Sequence, residues 1–250
     1  MIAAKPQVIK GDIMNVYETK TVTERLAGNS YPGRGIIIGT TPDEKMVVAY
    51  FIMGRSENSR NRVFEQREDG LYTKAYDESK VADPSLIIYR AVGEHEGNIV
   101  VTNGDQTDTI LSALKVGGSF EGALRTREFE PDAPSFTPRI SGMVCYDFDV
   151  TYKLSILKSA DAEGTDCVRY FYEYPATPGV GHFIHTYVGD GSPLPSFQGE
   201  PERVVIPEDT EAFADELWAS LDENNKISLY VNVIDEEGET AYIYNKNEEE

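Results

Sequence analysis

Two apolar runs, Ile36-Ile37-Ile38 and Met46-Val47-Val48-Ala49-Tyr50-Phe51-Ile52, flank the short segment Thr41-Pro42-Asp43-Glu44-Lys45. Proline, aspartate and charged residues in that order have hairpin-turn composition, so the two runs read as paired strands. A strand with one wet face alternates apolar and polar residues. These runs are apolar at almost every position, so the sheet that holds them is expected to be covered on both faces.

The same reading extends along the chain. A second strand pair is expected on either side of Glu68-Asp69-Gly70, and a third joins Leu86–Val92 to Ile99–Thr102 across a loop at 93–98. Asp105 or Thr107 can cap a first helix that carries Ile110, Leu111 and Leu114 and stops at Gly117-Gly118. Ser119 caps a second, with Phe120, Ala123 and Leu124 at helical spacing. Strands return at Ile140–Tyr146, Tyr152–Leu157, Val168–Tyr174 and His182–Val188. Gly189–Pro207 is rich in Gly and Pro and reads as a long loop. Thr210 opens a last helix with Phe213, Leu217, Trp218 and Leu221 on one side. A closing hairpin follows, Ile227–Ile234 and Ala241–Tyr244, turning at Glu236-Glu237-Gly238. Strands, then two helices, then more strands predict an α+β fold with helices outside antiparallel sheets. The expected organisation is a lead-in over 1–30, one domain over 31–246 and an acidic tail over 247–250.

Charge narrows the partners. The chain has 250 residues, 43 acidic against 23 basic, for a formal net charge of −20. Such a surface repels nucleic-acid backbones and anionic membranes, so neither is expected as a partner. An anionic small molecule would need the few arginines gathered around it. The two cysteines, Cys145 and Cys167, show no CxxC spacing, and the amino end lacks the apolar core of a signal peptide. No run reaches the roughly 18 apolar residues that cross a bilayer. The expected location is cytoplasmic. A chain of this length buries about 70–75% of its unfolded surface and needs no metal to hold a core.

Three stretches carry candidate chemistry. Gly54-Arg55-Ser56-Glu57-Asn58-Ser59-Arg60-Asn61-Arg62 follows a buried-looking strand and places three arginines within eight residues. Guanidinium forks suit phosphate oxygens, and Ser56, Asn58 and Asn61 add neutral donors. The alternative is a surface loop whose arginines pair with abundant carboxylates. Thr102-Asn103-Gly104-Asp105-Gln106-Thr107-Asp108-Thr109 joins a strand to a helix start, where free N–H groups and side-chain amides could read a base edge. Asp105 and Asp108 are a candidate acid pair, with helix capping as the alternative. Arg139 stands at a strand mouth behind Pro138, a position also open to a structural role. Gly33-Arg34-Gly35-Ile36-Ile37-Ile38-Gly39 has the wrong spacing for a dinucleotide fingerprint, and a strand follows it. His182 and His185 lie three apart in a strand, on opposite faces, and with His95 form no zinc constellation. Neither a GxSxG elbow nor a Cys-His pairing stands out.

In this order, Tyr31-Pro32-Gly33-Arg34-Gly35, Gly54-Arg55-Ser56 with Asn61-Arg62, Asp83-Pro84 with Ile88-Tyr89, Val101-Thr102-Asn103-Gly104 with Thr107-Asp108-Thr109-Ile110, and Thr137-Pro138-Arg139-Ile140 resemble the archaeal-type inosine monophosphate (IMP) cyclohydrolase family. The resemblance covers residue 30 to about residue 145. One departure is that Arg90 follows Tyr89 immediately, where the family pattern carries an arginine a few residues on. The resemblance implies a four-layer αββα sandwich like that of N-terminal-nucleophile hydrolases, without the terminal nucleophile. Met1-Ile2 agrees with that lack.

The implied reaction closes the purine ring of a formylated aminoimidazole-carboxamide ribonucleotide and releases water, with no cofactor and no metal. On this reading Tyr89, Arg139 and Asp105 are the candidate catalytic residues. Arg34, Arg55, Ser56, Asn58, Arg60, Asn61, Arg62, Asn103, Gly104, Thr107 and Asp108 are the candidate substrate contacts. The expected partner is a small purine ribonucleotide, and self-association is left open. A purine-nucleotide-binding protein without catalysis and an amide hydrolase are the alternative readings.

Overall fold

A computed structural model describes residues 15, 17–81, 88–145 and 151–248. In chain order a short helix, α1 (Val22–Leu26), precedes the two apolar runs, which form β1 (Arg34–Thr40) and β2 (Met46–Met53). They pair antiparallel, with Ile36 opposite Tyr50 and Ile38 opposite Val48, and every residue of both is buried. Alternation explains the burial. Ile36, Ile38, Val48, Tyr50 and Ile52 enter one apolar cluster, while Ile37, Val47, Ala49 and Phe51 enter another.

After β2 come a single helical turn, α2 (Glu57–Arg60), and seven strands that follow one another across a sheet. These are β3 (Arg62–Arg67), β4 (Gly70–Ala75), β5 (Arg90–His95), β6 (Asn98–Thr102), β7 (Arg139–Cys145), β8 (Thr151–Ser159) and β9 (Cys167–Pro175). Between β6 and β7 lie α3 (Gln106–Leu114) and α4 (Phe120–Leu124). The chain then returns to the first sheet through β10 (Val180–His185), β11 (Glu202–Val205), α5 (Thr210–Ser220), β12 (Lys226–Asp235) and β13 (Gly238–Asn245). That sheet runs β11-β10-β1-β2-β12-β13, and the strand pairs of both sheets are antiparallel. Two antiparallel sheets with few helices make an α+β fold, as the order of elements predicts.

Three apolar clusters hold it together. One lies between the sheets, with Ile36, Ile38, Tyr50 and Ile184 from the first and Phe64, Leu71, Val101, Ile140, Leu154 and Ile156 from the second. A second joins the other face of the first sheet to Val22 and Leu26 of α1 and Phe213, Leu217 and Trp218 of α5. The third joins Val100, Met143 and Leu157 of the second sheet to Ile110, Leu111, Phe120 and Leu124. Among the described residues no helix is long and apolar enough to cross a membrane.

Several local expectations need correction. The stretch 189–207 is not loop throughout, because β11 pairs along β10 with Arg203 opposite His182. Four residues close to Pro201 and Pro207 are too few to show a period. α1, which Thr21 and Glu24 cap reciprocally, lies inside the expected lead-in. α2 was likewise unexpected; Ser56 and Ser59 cap each other's backbone N–H, a pairing that fixes one turn only. α5 does start at Thr210 as expected, with Asp209 as its cap. β5 and β6 run on to His95 and back from Asn98, which leaves a tighter turn than predicted. Asp83, Pro84, Leu86, Ile87 and Tyr146 lie outside the described residues.

Candidate functional site

Gly33 takes φ +80, and a Cβ there would lie 2.5 Å from the Tyr187 ring. Only glycine accepts that turn cheaply, and it sends the chain into β1 with Arg34 as the first residue. The Arg34 side chain falls on the same face as Ile36 and Ile38, toward the second sheet, and is 9% exposed. Its Nη2 donates to both oxygens of Glu130, at 3.1 and 3.2 Å, and Glu130 is itself buried.

Arg62 opens β3 from the opposite sheet and is only 2% exposed. Its Nε donates to the Ser59 carbonyl at 2.8 Å. Among the described residues no carboxylate pairs with it. Burial lowers its pKa, and the like charge of Arg34 works in the same direction. Arginine nonetheless stays charged at neutral pH. Burial, the largest single influence, also works against the charge of Arg34, but Glu130 together with Tyr187, Tyr89 and Tyr50 outweighs it and keeps that pKa well above the ordinary value. Two buried guanidinium groups therefore lie close enough to repel each other, and of the two only Arg34 is paired with a carboxylate among the described residues. Burial in turn raises the Glu130 pKa against the pull of Arg34 and Arg139.

Phenols surround the two cations. Tyr50 and Tyr89 are buried, and their hydroxyls meet at 2.7 Å. In such a pair only one hydroxyl donates to the other, so the second proton is free to be given to a third group. Burial pushes the Tyr50 pKa well up, so that phenol keeps its proton at pH 7. Tyr31 and Tyr187 stack with centroids 5.9 Å apart, and the Tyr187 hydroxyl lies 2.6 Å from Thr137 Oγ1. Burial raises the Tyr187 pKa to about 12.

The β6–α3 junction supplies the neighbouring group. Arg139, at the start of β7, donates from Nη1 to Asp105 Oδ1 at 2.8 Å and to Gln106 Oε1 at 2.7 Å. Arg127 reaches the same Asp105 oxygen at 2.5 Å. Burial works to raise the Asp105 pKa, but hydrogen bonds and charge from Arg127 and Arg139 hold it below the usual carboxylate range. Asp105 occupies the cap position of α3, yet its carboxylate makes no cap hydrogen bond. It is an ionised acceptor.

The structure separates the remaining sequence candidates. Asn103 is fully buried, accepting from Ile140 N and Gln106 Nε2 and donating to the Pro138 carbonyl. Thr107 bonds Thr102, which also holds the Gly104 carbonyl. These residues build the junction. Gly104 matters by its lack of a side chain, since a Cβ there would lie 2.6 Å from Arg139 Nη1. Asp108 lies against Arg90 instead, 3.3 Å from its Nε.

The arginine loop splits three ways. Arg55 pairs with Asp190 and lies 5.0 Å over the Tyr31 ring; Arg60 turns to the Gly54 carbonyl and Asn225; only Arg62 turns inward. Ser56 caps α2, and Asn61 bonds the Asp77 backbone in both directions. Asn58 Oδ1 is buried with no hydrogen-bond partner among the described residues. Sequence reading missed Tyr50, Glu130 and Arg127. Tyr50 stood inside an apolar run, where its hydroxyl was the available signal. Glu130 lies between α4 and β7, where no period marks it.

Compared with curated proteins, the chain finds no significant match. Residues 31–238 match the model of a family described as IMP cyclohydrolase-like protein. That span takes in β1 through β12, with Arg34, Arg62, Tyr50, Tyr89, Glu130 and Arg139 all inside it. The chain therefore belongs to the IMP cyclohydrolase-like family.

Proposed function

We propose that this protein is an IMP cyclohydrolase, closing the purine ring of 5-formamidoimidazole-4-carboxamide ribonucleotide to give IMP and water. The observation that carries the reading is Arg62: a buried cation that no carboxylate pairs with among the described residues, close to a second buried arginine, in a chain of net charge −20. A buried charge is costly to leave uncompensated, and an anionic ligand supplies what the protein does not. Family membership gives that ligand its chemical class.

In the reaction the carboxamide nitrogen attacks the formyl carbon of the same molecule. The formyl oxygen gains negative charge, takes up two protons in turn and leaves as water, while the carboxamide nitrogen gives up one proton and the formamido nitrogen the other to leave the C=N bond of the closed ring. Orientation dominates the barrier, and holding the two groups in contact can supply up to about 7–11 kcal/mol. Arg34 and Arg62 receive an anionic group of the substrate. The Tyr50–Tyr89 pair gives its free proton to the formyl oxygen. Ionised Asp105, fixed between Arg127 and Arg139, accepts from the carboxamide N–H. Asn103 and Thr107 act by holding that junction rigid.

A four-layer αββα sandwich of the N-terminal-nucleophile type belongs to the same proposal. Its support is the sharing of apolar clusters: α1 and α5 with one sheet, α3 and α4 with the other, and the two sheets with each other. The test of mechanism is Tyr89→Phe, for which kcat should fall at least tenfold with KM little changed. An unchanged kcat removes Tyr89 from proton transfer.

A further inference from the structure

Arg60 does not face the Arg34–Arg62 cluster. It lines a separate cavity of about 410 Å³ with Asn224, Lys226, Ile227, Lys246 and Asn247. None of these belongs to the site described above. The lining brings three cations from three elements: Arg60 from α2, Lys226 from the start of β12, and Lys246 from the turn after β13. In so acidic a chain that concentration is unusual, and it makes the cavity locally positive.

The carboxylate nearby does not neutralise it. Glu223 reaches Lys226 Nζ at 2.7 Å and Lys246 Nζ at 3.2 Å, but its side chain is 70% exposed. With its carboxylate end largely in water, each pair is screened by salt, so an anion seated in the cavity can compete for both lysines. Arg60 has no carboxylate partner among the described residues. Its guanidinium makes one bond to the Gly54 carbonyl and a 3.4 Å contact to Asn225 Oδ1. Lys226 is 8% exposed and held 4.3 Å from the Trp218 ring, so its ammonium is in place before any ligand arrives.

We propose that this cavity is a second anion-binding site that takes the phosphoryl oxyanion of inorganic phosphate or a phosphomonoester. Three cations converging from different directions match a tetrahedral group with several outward oxygens better than a planar carboxylate. The site is also tied to the first. Asn247 Nδ2 donates to the carbonyls of both Arg60 and Arg62, at 2.9 and 3.3 Å. An anion that draws Arg60 and Lys246 together steadies the backbone that carries Arg62 inward.

The experiment titrates inorganic phosphate into the wild-type protein, Lys246→Gln and a distant control, Lys80→Gln, by calorimetry at constant ionic strength, with acetate as comparison. Backbone amide exchange over residues 57–63 is followed in parallel. The expected result is phosphate binding that Lys246→Gln weakens at least tenfold and Lys80→Gln leaves alone. Phosphate should slow exchange over 57–63 more in the wild type than in Lys246→Gln. Equal phosphate binding by Lys246→Gln and wild type overturns the proposal. So does acetate binding as tightly as phosphate, or exchange over 57–63 that phosphate slows equally in both proteins.

Discussion

Arg62→Met separates the needs of the fold from those of the ligand. In the free protein Arg62 is buried, lies close to Arg34 and, among the described residues, donates to the Ser59 carbonyl. Methionine keeps most of the apolar stem and removes the charge. Losing the bond to Ser59 costs about 1.5–3 kcal/mol. Relief of the buried, uncompensated charge returns several kcal/mol by the same reasoning that makes replaced buried ions often neutral or stabilising by about 1–4 kcal/mol. The net expectation is a change between about 0 and +2 kcal/mol in favour of the folded state, read as a melting temperature unchanged or raised by up to about 8 °C. Ligand affinity should move the other way. Two charge-assisted hydrogen bonds to an anionic oxygen are worth about 3–6 kcal/mol together, so IMP binding by calorimetry should weaken at least ~100-fold. A protein that loses more than 2 kcal/mol in urea unfolding, or binds IMP within threefold of wild type, refutes the reasoning.

Three further outcomes follow from the same geometry. Glu130→Gln removes the carboxylate paired with buried Arg34 and should cost about 3–5 kcal/mol in a urea titration. Gly104→Ala places a Cβ 2.6 Å from Arg139 Nη1 and 2.7 Å from Gln106 Oε1, so it should displace Arg139 and lower kcat/KM by 10- to 100-fold with little change in melting temperature. His182, stacked on Tyr174 at 3.6 Å and 2.5 Å from the Tyr152 hydroxyl, has its pKa pulled down to about 4 by burial and then by Arg203. Between pH 6.5 and 4 the unfolded chain binds the proton that the fold refuses. Stability should therefore fall as pH falls through that window, by about 3 kcal/mol at most, and His182→Phe should flatten the slope in urea titrations at pH 7, 6 and 5.

The fold was legible wherever a period or a cap repeats. The doubly apolar runs of β1 and β2, the Ser119 cap of α4 and the closing hairpin of β12 and β13 follow from residue order alone. β11, α1 and α2 did not, because four or five residues carry too little pattern and their stability comes from neighbours. At the site, the sequence marked arginines but not directions. Arg55, Arg60 and Arg62 look equivalent along the chain, yet one turn of helix sends them to Asp190, Asn225 and the buried cluster. Asn103 and Thr107 have the chemistry to read a base, but the junction already uses it, Asn103 on backbone groups of Pro138 and Ile140 and Thr107 on the Thr102 hydroxyl. Glu130 was invisible because its meaning depends on Arg34, 96 residues away.

Ring closure itself is the most direct test. Purified protein mixed with 5-formamidoimidazole-4-carboxamide ribonucleotide should produce the ultraviolet absorbance of IMP catalytically, without added metal or cofactor, and Arg62→Met should not. Tight IMP binding with no conversion of the formylated ribonucleotide by the wild-type protein would contradict the assignment and leave a nucleotide-binding protein in its place.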